Sequence, residues 1–345
     1  MSPIAKLATR LAAGVACAAL LASAAGTAAT AAEFSSRNIR ISVGITEDHP
    51  QAVALRRFAE RIAELSDGKM KAKVFANAAL GNDSKSTEGL RAGTLEMNST
   101  STSPLGQLVR ELGVFDFPFL FNSEQEADAV LDGPVGASFE PKFAEKGLVL
   151  LCWMENGFRN LTNSVRPVTK AEDLKGIKLR VMQNSIFLDA FSKLGTNPVA
   201  MAFSEVYPAL ESGAIDAQEN PNVTVLTSKM YEVQKHLAQT RHVYTPFVTL
   251  VSQKFWNRLS DDEKKVMTQA CAEARDYQRT LTREADIKAV EELKAKGMQV
   301  TEISAEERAK MREVTQPTVD KFSQEIGADF VKGVMAEIEK VRGRS

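Results

Sequence analysis

Residues 39–75 read IRISVGITEDHPQAVALRRFAERIAELSDGKMKAKVF, and this stretch decides the fold class. Ile39, Ile41, Val43 and Ile45 alternate with Arg40, Ser42 and Gly44, the period-two signature of a strand with one buried face. Asp48-His49-Pro50 then suits a helix start, and Leu55, Phe58, Ile62 and Leu65 recur at helical spacing until Gly68 ends the pattern. Met70, Ala72 and Val74 alternate with lysines in a second strand. Strand, helix and strand in this order form a β-α-β unit, whose crossover is right-handed in nearly all cases. Further units follow: a helix through Gly89 to Ala92, a strand near Leu95 to Ser99, a helix opened by the capping box Ser123-x-x-Glu126, and the strand GLVLLCW at 147–153. The first half reads as an open α/β domain.

The second half begins after Gly157 and reads α/β again. It carries a capping box Thr169-x-x-Glu172, a strand IKLRV at 177–181, a helix from Asn184 and another from Ser204, which together imply a second sheet. A domain boundary is expected near residues 155–158. From Ser260, boxed by Glu263, to Gly297 the chain has no internal Gly or Pro, and Val266, Ala270, Ala274, Tyr277, Leu281, Ala285, Ala289 and Leu293 form one stripe. At 1.5 Å per residue this helix is roughly 54 Å long, more than a small domain measures, so it is expected to span both domains. A further box, Ser304-x-x-Glu307, starts the last helical region.

The whole chain has 345 residues, room for two ordinary domains, with 44% hydrophobic and 25% charged residues. That is a soluble globular composition, which excludes wholesale disorder and a multi-span membrane protein. The 43 Lys+Arg against 44 Asp+Glu give a formal charge of -1, so nucleic acid is not an expected partner. Three His and three Cys leave little material for a metal site, and no metal or cofactor is expected. Residues 1–32 hold Lys6, Arg10, no acid, then LAAGVACAALLASAAG and small residues up to Ala32, the pattern of a signal peptide cleaved near Ala32. A periplasmic location follows. Without Lys6 and Arg10 the mature chain carries 41 bases against 44 acids. Its two cysteines, Cys152 and Cys271, are free to pair in an oxidising compartment, or Cys152 stays a buried thiol in LVLLCW.

Periodicity alone puts Arg180 on the face opposite Leu179 and Val181, near a strand end, either as a solvated sheet-edge arginine or at the crevice where α/β sheets bind ligands. Arg159 in NGFRNLTNS is an ambiguous strand arginine, and DAQENPN, holding Asn220, reads as a polar turn or a helix start. The segments MENGFRNLTNSVRPVTKAEDLKGIKLRVMQN and MAFSEVYPALESGAIDAQENP, with LGND at 80–83 and FDFPFLF at 115–121, resemble the solute-binding subunits of TRAP transporters, the DctP-type family, over roughly residues 39–330.

The resemblance implies an α/β, two-domain periplasmic-binding-protein-like fold with a long hinge-spanning helix. Its lobes are expected at 33–157 plus about 245–284, and at 158–244 plus about 285–345. It implies that Arg180 grips a ligand carboxylate in a two-pronged salt bridge, that Arg159 is a second carboxylate-facing arginine with Asn220 as its amide partner, and that Phe203 packs on the ligand. A guanidinium suits the role because its paired donors match a carboxylate. The sialic-acid-binding members carry a carboxylate where this chain has Ser99-Thr100-Ser101-Thr102-Ser103, which speaks against sialic acid. A dicarboxylate needs a second cation, and the first-lobe segments offer only His49. Asp48, Asp83, Ser101 and Ser103 suit ligand hydroxyls, and Asn184 completes the expected site. A sugar acid such as a uronate is therefore the expected ligand, a C4-dicarboxylate or keto acid the alternative. A monomer handing its ligand to membrane subunits is expected. A periplasmic enzyme and a sensory ligand-presenting protein are the competing classes, and the first lacks an acid–base or nucleophile motif.

Overall fold

Strand β1 (Arg37–Val43) buries Ile39, Ile41 and Val43 and leaves Arg40 outside, paired with Glu96 at 2.9 Å. Helix α1 (Pro50–Leu65) starts at His49, whose Nδ1 accepts the Gln51 N–H at 3.1 Å, and packs Leu55, Phe58 and Ile62 against that apolar face. Strand β2 (Met70–Phe75) returns parallel to β1, with Ile39 beside Ala72 and Ile41 beside Val74. The β-α-β unit read from the sequence is thus present in register. This computed structural model describes residues 34–343, so the expected leader over 1–32 lies outside the described residues.

Counting α-helices of six residues or more, the chain continues through α2 (Asp83–Ala92), β3 (Met97–Ser101), α3 (Glu124–Leu131), β4 (Leu148–Asn163), β5 (Lys178–Val181), α4 (Ser185–Lys193) and β6 (Asn197–Ala200). Then come α5 (Val206–Glu211), β7 (Ala217–Asn220), α6 (Asn222–Thr227), β8 (His236–Ser252), α7 (Asp261–Ala295), β9 (Gln299–Glu302), α8 (Ala305–Ile326) and α9 (Ala328–Arg342). The caps that the sequence announces are in place: Ser123, Ser260 and Ser304 each accept the N–H of the Glu three residues on, and Asn184 caps α4. Thr169 is a correction. Its box closes on Asp173 rather than Glu172, and the segment makes only a 3-10 turn at Ala171–Leu174.

The expected second sheet is not separate. One sheet of nine strands runs β2-β1-β3-β8-β4-β7-β5-β6, with β9 beside β8. Its two halves share β4 and β8, of 16 and 17 residues, which pair antiparallel along their length. The start of β4 and the end of β8 serve the half containing β1 to β3, and their other ends serve the half containing β5 to β7 and β9. Register shifts interrupt this ribbon between Leu150 and Cys152, Glu155 and Gly157, and Arg159 and Leu161. Gly157 sits at φ +111°, a conformation that suits glycine. DAQENPN is a second correction: Ala217–Asn220 is a fully buried strand, because its polar side chains find partners on β4, and α6 follows it. The Ser/Thr run likewise enters a strand, with every residue of β3 buried.

Helix α7 spans 35 residues, about 52 Å. Val266, Ala270, Ala274, Ala289 and Leu293 are buried as the stripe requires, but its middle departs from expectation. Tyr277 is 45% exposed, Leu281 and Ala285 are half-buried, and the buried face there consists of Gln278, Arg279 and Thr282. At that level the helix crosses the irregular part of β4, whose polar groups demand polar partners. Nearer its start, Cys271 forms a disulfide with Cys152 of β4, 119 residues away, which settles the pairing the sequence leaves open. Replacing both cysteines by Ser should lower unfolding free energy by about 2–4 kcal/mol in a denaturant titration, since the unfolded chain then loses a long cross-linked loop. An unchanged midpoint would contradict a structural role for this bridge.

Candidate ligand-binding site

The site is built where the two halves of the sheet face each other. A cavity of about 660 Å³ of empty space, mouth included, is walled on the β3 side by Gly44, Asn82, Asp83, Ser99 and Ser101. Its opposite wall is Arg159, Arg180, Met182, Gln183, Phe203 and Asn220. The mixed polar and apolar lining suits a small-molecule site.

Arg180 stands on β5 with 2% of its surface exposed. Its Nε and Nη2 donate to the Met201 carbonyl at 3.0 and 2.7 Å, and Nη1 has no partner. Burial lowers its pKa to about 10, against the pull of Glu219 and Asp83, and it stays a cation at neutral pH. Arg159, on β4, is fully buried and differently held. It forms a two-pronged pair with Glu219, Nε to Oε2 at 2.5 Å and Nη2 to Oε1 at 2.9 Å, while Nη2 also donates to Asn220 Oδ1 at 3.1 Å. Its Nη1, too, has no partner. Burial alone would raise Glu219, but Arg159 and His242 outweigh it and hold the carboxylate below its usual range. His242 approaches Glu219 at 3.0 Å and Thr240 at 2.7 Å. Of the two guanidiniums in the wall, one is therefore already neutralised.

The structure brings Arg180, Arg159, Asn220, Phe203, Asp83 and Ser101 to one cavity. Asn220 is fixed by the Gln218 side chain, its Nδ2 donating at 2.6 Å. Half-buried Phe203 adds an apolar face. Burial raises Asp83 to about 6, opposed by its hydrogen bond with Thr100 and the charge of Arg180. Four expected residues lie off the wall, the first being Asp48, which is exposed. His49 caps α1 and meets Thr224 at 3.1 Å, and burial lowers it to about 3, so it is a neutral ring and not a second cation. Ser103 donates to Asp116, while Asn184 Nδ2 donates to Asp116 Oδ2 at 2.8 Å and to the Ser103 carbonyl at 3.1 Å. They form a polar cluster beside the cavity, in which burial takes Asp116 up to about 7.

Sequence reasoning missed Asn156, Gln183, Thr224 and Phe247 as wall residues and Glu219 as the partner of Arg159. Asn156 and Arg159 have opposite parity on β4, and the register shifts that bring both to the cavity leave no periodic trace. Only Glu219 was signalled, as an acid next to Asn220.

Two halves of one sheet meeting over a cavity with two unpaired guanidinium donors define a protein that captures a small anion between two domains. The chain belongs to the bacterial extracellular solute-binding proteins, family 7 (DctP), whose model matches residues 41–325. It is similar to the sugar acid binding protein DctPAm of Advenella mimigardefordensis, solved in complex with galactonate: 46% identity, TM-score 0.88, covering 90% of this chain and 100% of that one. It is 33% identical to the 2,3-diketo-L-gulonate-binding periplasmic protein YiaO of Escherichia coli, over 87% of this chain and 92% of the relative. It is 32% identical to the C4-dicarboxylate-binding periplasmic protein DctP of Rhodobacter capsulatus, over 86% of this chain and 90% of the relative. The expected TRAP-type membership and two-domain α/β fold are thereby met. Among the described residues no helix is long and apolar enough to cross a membrane.

Proposed function

We propose that this protein captures a polyhydroxylated monocarboxylate, a sugar acid such as a uronate or aldonate, in the interdomain cleft. As a periplasmic monomer it hands that ligand to the membrane subunits of a TRAP transporter. The lobes of this reading are residues 33–157 plus about 245–284 and residues 158–244 plus about 285–345, a division that the register shift between Glu155 and Gly157 supports. One observation carries it: the unpartnered Nη1 groups of Arg159 and Arg180 both belong to residues lining the same cavity. A carboxylate satisfies buried cationic donors that otherwise cost free energy, and only a closed form lets both lobes touch it. Turnover plays no part in this reading.

The opposite wall argues for hydroxyls at the far end of the ligand. Asp83, Asn82, Ser99 and Ser101 offer hydrogen-bond partners, and the wall residues on that side include no cation. Similarity to a galactonate-bound structure supports the same choice. A C4-dicarboxylate is the second reading, favoured by the likeness to the Rhodobacter protein, but its far carboxylate would face Asp83. A thermal-shift screen over sugar acids, dicarboxylates and keto acids tests the choice. A ligand at about 100 times its Kd adds about 2.7 kcal/mol, enough to move the midpoint visibly. A shift with dicarboxylates alone would overturn the sugar-acid reading.

A further inference from the structure

Glu155 stands where β4 loses register with β8, immediately before the cavity-lining Asn156 and four residues before Arg159. Its cross-strand neighbour Pro246 turns its carbonyl the other way, to the Thr102 N–H at 3.3 Å, so the two residues exchange no ladder bond and the backbone groups of Glu155 face away from β8. The side-chain amide of Gln278, in the middle of α7, takes over both backbone groups. Glu155 N–H donates to Gln278 Oε1 at 3.0 Å, and Gln278 Nε2 donates to the Glu155 carbonyl at 2.6 Å. The Glu155 carboxylate, 2% exposed, accepts from Arg283 Nε and Nη2 at 2.9 and 2.6 Å, with the Tyr244 hydroxyl at 3.4 Å. Arg283 also donates to Asp128 at 2.6 Å, and Arg279 joins Asp128 at 3.1 Å and Asp132 at 2.5 Å. None of these side chains lines the cavity.

The rest of α7 is anchored on either side of this cluster. Before it, the Cys152–Cys271 bridge ties the helix to the start of β4. After it, Asp286 accepts from the Val223 N–H at 2.9 Å and from Asn222 at 3.1 Å, which ties the helix to α6 beside the second half of the sheet. Between the anchors the helix has no Gly or Pro at which to kink. With the first lobe ending near Gly157 on β4 and near Glu284 on α7, the contacts of Gln278, Arg279 and Arg283 lie at the edge about which the lobes turn.

We propose that this polar cluster is the hinge fastener of the protein. Glu155, gripped by Gln278 and Arg283, is a positioning residue that holds the irregular turn of β4 so that Asn156 and Arg159 face the ligand, and that sets the balance between open and closed forms. The proposal rests on the two-lobed capture reading above. Hydrogen bonds and ion pairs suit a hinge because they exchange partners, whereas an interdigitated apolar seam resists sliding.

The test uses the full mature chain with spin labels on Lys71→Cys and Glu211→Cys, one exposed position in each half of the molecule. Distances between the labels are measured with and without saturating galactonate, alongside calorimetric affinity. Glu155→Gln should shift or broaden the ligand-free distance distribution and weaken galactonate at least about tenfold, an energy of about 1.4 kcal/mol. Asp128→Asn, at the outer edge of the cluster, should change both in the same direction to a smaller extent, and serves alone if Glu155→Gln does not fold. Wild-type distances in the folded variants would overturn the proposal, even with reduced affinity, because the cluster would then be structural only. If galactonate fails to bind the wild type, the ligand reading is wrong, and the ligand-free distances still decide this one.

Discussion

Arg180→Ala is expected to raise the Kd for a sugar acid roughly 30- to 4,000-fold, about 2–5 kcal/mol, while leaving the stability of the ligand-free protein close to wild type. The asymmetry follows from how Arg180 is held. Among the described residues it makes no ion pair, its two bonds go to one backbone carbonyl, and burial already disfavours its charge. Removing it gives back a desolvation cost and forfeits bonds to Met201, two terms of opposite sign for folding. Binding has no such compensation: a ligand carboxylate brought into this cavity without Arg180 is desolvated and lacks its donor fork. Arg180→Lys should recover only part of the loss, because an ammonium supplies a point charge where the carboxylate needs two parallel donors. Calorimetry of the three proteins against one sugar acid checks this, and wild-type affinity in Arg180→Ala would end the assignment of Arg180 as the carboxylate anchor.

Glu219→Ala is expected to do the reverse and damage the fold first. Glu219 and Arg159 are both fully buried and joined in a two-pronged pair, with His242 on the same carboxylate. Deleting the acid leaves an uncompensated cation in the interior, at about 3–5 kcal/mol of unfolding free energy. In a chain of this size that is a fall in Tm on the order of 10 °C. Glu219→Gln keeps an acceptor without the charge and should fall between. Ligand affinity should suffer as well, since Arg159 would lose the partner that aims it. Denaturant titration of the two variants gives the answer, and a Glu219→Ala protein as stable as wild type would show that Arg159 has another counterion.

The contrast between the two arginines marks where sequence reading stops. The β-α-β unit was legible because Ile39, Ile41 and Val43 alternate and α1 repeats its apolar face. The helix starts were legible because Ser123, Ser260 and Ser304 each stand three residues before a Glu. Arg180 and Arg159 were selected by resemblance to a family; periodicity alone left both ambiguous. What separates their roles, a counterion under one and none under the other, depends on Glu219 arriving from a strand 60 residues downstream. The single sheet was missed because the irregularities of β4 mimic a boundary: Gly157 and its polar neighbours read as a break between domains, while the chain crosses without leaving the sheet. The polar middle of α7 was hidden for the same reason. Tyr277 and Leu281 continue a stripe on paper, but the face that meets β4 there is set by the backbone needs of Glu155 opposite Pro246, which no local pattern announces.

In the proposed complex Arg180 and Arg159 hold the ligand carboxylate while its hydroxyls meet the wall of Asp83 and Ser101. A crystal structure of the protein grown with galactonate measures this directly. The carboxylate is expected within hydrogen-bond distance of the Arg180 guanidinium, with the Arg159 Nη1 turned to the same group and the hydroxyl chain running toward Asp83. A ligand with its carboxylate at the Asp83 wall and only hydroxyls on the arginines would contradict it.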